Sequence, residues 1–110
     1  MKIERAYLLA NKTSTSAGSL NRKAEPTLLE MIADARVNQM GAQRQMTVFG
    51  KVYADARIVR VMGEHAADSI GLSGMSLKTF APSYAITKVA YHQYRTDFYI
   101  IVDKKQVGGD

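Results

Sequence analysis

The stretch TFAPSYAITKVAYHQYRTDFYIIV, residues 79–102, decides the fold class of this chain. It holds four of the six tyrosines and two of the three phenylalanines, interleaved with valine, isoleucine and threonine. Aromatic and β-branched residues fit a pleated, half-buried surface better than a helix. The spacing predicts strands over residues 84–91 and 97–102. Residues 92–96 (HQYRT) are too polar for a core and read as the turn between them. Pro82 pushes Ala81 toward an extended conformation just before the first of these strands.

Upstream, TVFGKVYA (47–54) is β-branched and aromatic and predicts another strand, with Val48, Val52 and Ala54 on one face and Phe49, Lys51 and Tyr53 on the other. ARIVRVM (56–62) suits a strand, although a helix running on into EHAAD is also compatible with it. Gly63, Gly71 and Gly74 punctuate the centre. Residues 64–70 could make one or two helical turns, and 63–74 is the leading candidate for a long functional loop. Residues 75–80 alternate again. Nearer the start, residues 26–40 predict a helix: Pro26 suits a first helical position, and Glu25 and Glu30 sit toward its positive end. Leu28, Leu29, Ile32, Ala35 and Met40 recur at three-to-four spacing, and Gly41 offers a left-handed cap. Residues 11–23 (NKTSTSAGSLNRK) are dominated by Ser, Thr, Asn and Gly and predict an arm or loop. The expected fold is mainly β with one helix (α+β): a single small β-barrel-like domain over residues 1–110. It comprises the arm at 11–23, the helix at 26–40 and a β-rich core at 47–102.

At 110 residues, 46% of them apolar, the chain can fill one modest core. It has no cysteine, which removes disulfides, thiolate metal sites and thiol catalysis together. No apolar run approaches membrane-spanning length, so no membrane role is expected. The net charge of +5 favours phosphate-rich partners in general. However, like charges never run beyond two in succession, whereas a dedicated DNA reader clusters them on one element.

Candidate chemistry is sparse. GEHAAD brings Glu64, His65 and Asp68 close together, but a zinc site needs three or four converging ligands and the only other histidine is His92. The serines of the arm lack a nucleophile elbow, and neither SAGS nor GLSG continues into a phosphate-binding Lys-Ser/Thr pattern. The expectation is a non-enzyme with no cofactor and no metal. Tyr91, Tyr94, Arg95, Phe98 and Tyr99 could stack single-stranded bases on an open sheet, which makes a non-specific single-stranded nucleic-acid-binding module the alternative from another class. Core or interface placement suits the tyrosines better, since a tyrosine joins an apolar ring to a polar tip.

Three ordered motifs carry a family resemblance: TVFGKV (47–52), GEHAADSIGLSG (63–74), and FAPSY (80–84) followed by VAY (89–91) and DFYIIV (97–102). Over residues 47–102 the chain resembles the head–tail adaptor or head-closure (stopper) proteins of tailed phages. That resemblance implies a structural virion protein, made in the host cytoplasm and placed in the neck. There it would form a homo-oligomeric ring between the portal protein and a tail-completion or tail-terminator protein, with DNA passing non-specifically through the lumen. A tail-completion or tail-terminator protein of the same neck is the nearest alternative. By position, the gating loop of such a ring would be the segment bearing Arg57, Arg60, Gly63, Glu64, Gly71 and Gly74. Lys12, Arg22 and Lys23 would contact DNA phosphates, and Leu28, Ile32, Tyr91 and Tyr94 would lie at subunit interfaces.

Overall fold

Six antiparallel strands close into a barrel in the computed structural model, which describes residues 2–12 and 25–106. They are β1 (Lys2–Lys12), β2 (Glu25–Gln39), β3 (Tyr53–Met62), β4 (Ser69–Gly71), β5 (Tyr84–His92) and β6 (Arg95–Gln106), with one helix, α1 (Ala42–Phe49), between β2 and β3. The order around the barrel is β1-β2-β3-β6-β5-β4, and β4 pairs with β1 to shut it. The expected β-barrel-like, mainly β class with one helix therefore holds. Closure pairs most of the edges that an open sheet of this size would present.

The interior is filled by alternate residues of each strand. Ala6 and Leu8, Ala35 and Val37, Val59 and Val61, Ile70, and Phe98 and Ile100 form one buried cluster. Register explains the set: Val59 faces Phe98 and Val61 faces Thr96 across β3 and β6, and cross-strand partners share a face of the sheet. The strands expected at 84–91 and 97–102 are present as β5 and β6. Their turn is tighter than the polar stretch 92–96 suggested, because His92 pairs directly with Arg95 and only Gln93 and Tyr94 intervene. Thr96 is fully buried: its Oγ1 donates to the Gly63 carbonyl at 2.7 Å and accepts from the His65 N–H at 3.1 Å. A hydroxyl with both capacities used tolerates burial.

The helix expected over residues 26–40 is instead β2. Two β-bulges account for the misleading spacing. Ala6 pairs with Ile32 and Glu4 with Ala35, so three steps along β2 match two along β1; a second irregularity places Leu8 opposite Glu30 and Leu9 opposite Leu28. The extra residues turn a period of two into gaps of three, which imitate a helical stripe. Gly41 is not a C-cap; it is the N-cap of α1.

The strand expected from residue 47 is also replaced, since Thr47, Val48 and Phe49 end α1 and Gly50 closes it with φ 74° and an N–H bonded to Met46. Gln45, Val48 and Phe49 recur at helical spacing; Val48 and Phe49 pack on Met40, Ala56, Ile58 and Tyr99, the outer face of the β3–β6 wall. Phe49 meets Tyr53 and Tyr99 edge-to-face at 5.9 and 6.5 Å. Gln45 is buried and ties α1 to β3 and to the connection after β2: its Nε2 donates to the Met40 carbonyl at 3.1 Å, and its Oε1 accepts from the Tyr53 N–H at 2.7 Å. Gln45→Leu is expected to lose about 2–3 kcal/mol in chemical denaturation, because it strands backbone groups that Gln45 satisfies. An unchanged midpoint would show that those groups find other partners.

Residues 64–70 form no helical turns; Ser69–Gly71 is β4. Residues 75–80 are not a strand either. They make a turn closed by an isolated bridge between Ser76 and Ala81, and Met75 and Phe80 fold back on Tyr7 and Leu9 on the outside of the barrel.

Candidate functional site

β2 is far longer than its hydrogen bonding to β3 requires. It pairs with β1 from Glu25 to Val37, but with β3 only from Arg36 to Gln39. Among the described residues, the β2 backbone from 25 to 35 therefore has a strand neighbour on one side only. Fifteen residues at about 3.3 Å each span about 50 Å, close to the 47 Å long axis of the molecule. The outer part of this β1–β2 ribbon carries Leu28, Leu29 and Met31, 40%, 52% and 46% exposed. Leu28 lies opposite Leu9 and Met31 opposite Tyr7, so both continue the apolar face of the outer cluster of Tyr7, Leu9 and Met75. An exposed strand edge beside apolar side chains is a template for another chain. One contact pins the ribbon to the barrel floor: His65 Nδ1 lies 2.9 Å from Glu30 Oε2, while its Nε2 is 2.7 Å from the Met62 carbonyl.

A second centre lies on the outer face of the β3–β6–β5 wall. Asp97 is 1% exposed and is met by Arg95 Nε at 3.0 Å, His92 Nε2 at 3.3 Å and Arg60 Nε at 3.6 Å. A third charged group sits at the barrel mouth. Arg57 grips Asp55 with two hydrogen bonds, Nε to Oδ1 at 3.0 Å and Nη2 to Oδ2 at 2.7 Å. The bond to Asp55 raises the Arg57 pKa above its ordinary value, against the opposing effect of burial. Beside it, Glu4 accepts from the Ser73 backbone and hydroxyl at 3.2 and 2.9 Å.

The residues expected in one gating loop do not share a loop. Arg57 and Arg60 are on β3 and ion-paired, and Gly71 is inside β4. Gly63, Glu64 and Gly74 lie in connections. Of the three glycines only Gly63 needs the left-handed region, with φ 87°; Gly71 is required by close packing, since a Cβ there would strike the Met75 sulfur. Lys12 ends β1, and the rest of the arm expected at 11–23, including Arg22 and Lys23, lies outside the described residues. Among the interface candidates, Leu28, Tyr91 and Tyr94 are exposed, whereas Ile32 packs against the barrel core. Phe98 and Tyr99 are buried and present no stacking surface.

Sequence reasoning missed Asp97 and Arg36 altogether, and it did not connect Arg95 with Arg60. The only available signal was the alternation of Arg95 and Asp97 in the last strand, which gains meaning once β3 is aligned beside it. No group of three or more His, Cys, Asp or Glu among the described residues could hold a metal ion. No family model, curated protein or solved structure matches the chain.

Proposed function

We propose that this chain is a structural virion protein of the head-closure or head–tail adaptor type. Copies of it would form a ring in the neck, between the portal and a tail-completion or tail-terminator protein, and would help retain the DNA that passes through. The observation that carries this reading is the β1–β2 ribbon: a rigid closed barrel projects a strand with one free edge and exposed Leu28, Leu29 and Met31. A small barrel gains stability when such a surface is covered by a neighbour.

The resemblance in the C-terminal half supports the same reading, because FAPSY leads into β5, VAY lies on β5 and DFYIIV lies on β6, in the order such proteins have. TVFGKV lends no support as a strand, since it spans the end of α1 and its glycine cap.

Ring formation is tested by sedimentation velocity on the purified chain. Leu29→Glu with Met31→Glu is expected to abolish self-association and leave the melting temperature within a few degrees, because exposed substitutions change folding stability by about 0.5 kcal/mol or less. Imaging of particles assembled without the chain tests the role. Heads that keep their DNA and still attach tails would sink it. Density for the chain at the tail end, away from the portal, would reassign it as a tail-completion or tail-terminator protein.

A further inference from the structure

We propose that Arg36, Arg60 and Arg95 form a phosphate-binding site on the outer face of the barrel wall, suited to the phosphodiester backbone of nucleic acid. Arg36 lies directly opposite Arg60 across β2 and β3, Arg60 lies opposite Asp97, and Arg95 lies opposite Met62. Cross-strand partners share a face, so the three guanidinium groups stand on the same side of the wall. They line one pocket of about 130 Å³ together with Asp34, Val61 and Met62. Two arginines placed directly opposite one another destabilise a sheet unless an anion lies between them.

Asp97 supplies part of that anion, but only from beneath. It faces the Nε of Arg60 and of Arg95 as ion pairs at 3.6 and 3.0 Å without hydrogen-bond geometry, and the outer N–H groups of both arginines have no partner among the described residues. Neither an ion pair nor a side-chain hydrogen bond engages Arg36 among those residues. A guanidinium carries five N–H donors, and its planar fork matches two phosphate oxygens at once. Asp97 thus holds the two guanidinium groups by charge from a buried position. Three arginines and Asp34 line the pocket; Asp97 lies against Arg60 and Arg95 outside that lining and balances a second arginine, with His92 beside it. The one excess positive charge matches the single negative charge of a phosphodiester. This inference does not rest on ring assembly, since one protomer carries the whole site.

The test is fluorescence anisotropy of the intact chain with a short labelled DNA duplex at low salt, beside NMR of the arginine Nε–H signals during titration with inorganic phosphate. Arg36 is exposed and holds no structural partner, so Arg36→Gln leaves the barrel intact. It is expected to weaken duplex binding several-fold and to reduce the slope of log K against log salt by about 1. Arg95→Lys keeps the charge but loses the fork, and should weaken binding with little change of slope. Arg44→Gln, on exposed α1, is the charge-matched control and should do neither. Inorganic phosphate that shifts the Arg36, Arg60 and Arg95 signals, with no duplex binding, would uphold the site and assign it to a free phosphate group. Equal losses from Arg36→Gln and Arg44→Gln would overturn the site in favour of net charge, as would silence of the arginine signals to both probes. Sedimentation of the same variants separates this result from the ring reading, because Arg36 lies apart from the exposed apolar patch of Leu28, Leu29 and Met31 at the outer part of the ribbon.

Discussion

Phe98→Ala is expected to destabilise the fold by about 3–5 kcal/mol, the largest effect of any single truncation in this chain. Phe98 is fully buried and stands opposite both Val59 and Val89, so its ring fills the barrel from two sides. The surrounding strands are locked in a closed cycle and cannot collapse into the space left behind. A domain of this size has about 5–15 kcal/mol of stability in all, so the variant should be near its unfolding threshold at physiological temperature. Thermal melts should show a fall of well over ten degrees, since about 1 kcal/mol moves the midpoint by several degrees in a small domain. Tyr94→Ala is the contrast. Tyr94 is 74% exposed in the β5–β6 turn, and its loss should move stability little. Equal losses from the two substitutions would mean that the barrel interior is not the seat of stability.

The second large effect concerns Asp97. Replacing Arg60 and Arg95 together with methionine removes both guanidinium groups from a carboxylate that is 1% exposed. Leaving a buried charge without its partners costs about 3–5 kcal/mol, whereas an apolar replacement of the whole group is often neutral. The double variant Arg60→Met, Arg95→Met should therefore be severely destabilised, and adding Asp97→Leu should restore most of the loss. The readout is the urea midpoint at constant slope. Failure of Asp97→Leu to rescue would show that the arginines stabilise the wall through their stems and not by balancing the carboxylate.

These two residues also show where sequence reading succeeds and where it stops. The aromatic and β-branched density around Phe98 identified β5 and β6, because short-range alternation reports a half-buried strand directly. Nothing in the local sequence around Asp97 sets it apart from other acidic residues. Its three basic neighbours come from β3, β5 and its own strand, and only pairing in register brings them together. β2 failed for a different reason: its bulges shift the apolar residues to helical spacing, and Leu, Glu, Met and Ala are good helix formers. α1 failed in the opposite sense. Thr47, Val48 and Phe49 have the composition of a strand, yet the buried Gln45 side chain and the apolar wall of β3 and β6 hold them in a helix.

The sequence by itself determined the class of this protein: a cysteine-free, mildly basic, mainly β domain with an aromatic C-terminal hairpin. Those properties follow from composition and nearest-neighbour alternation, which act locally along the chain. Tertiary structure alone decided the closure of the barrel by the three-residue β4, the free edge of β2, and the gathering of Arg36, Arg60 and Arg95 above Asp97. Each of these depends on strand register, and register is set by long-range pairing and bulges that no local window of residues encodes.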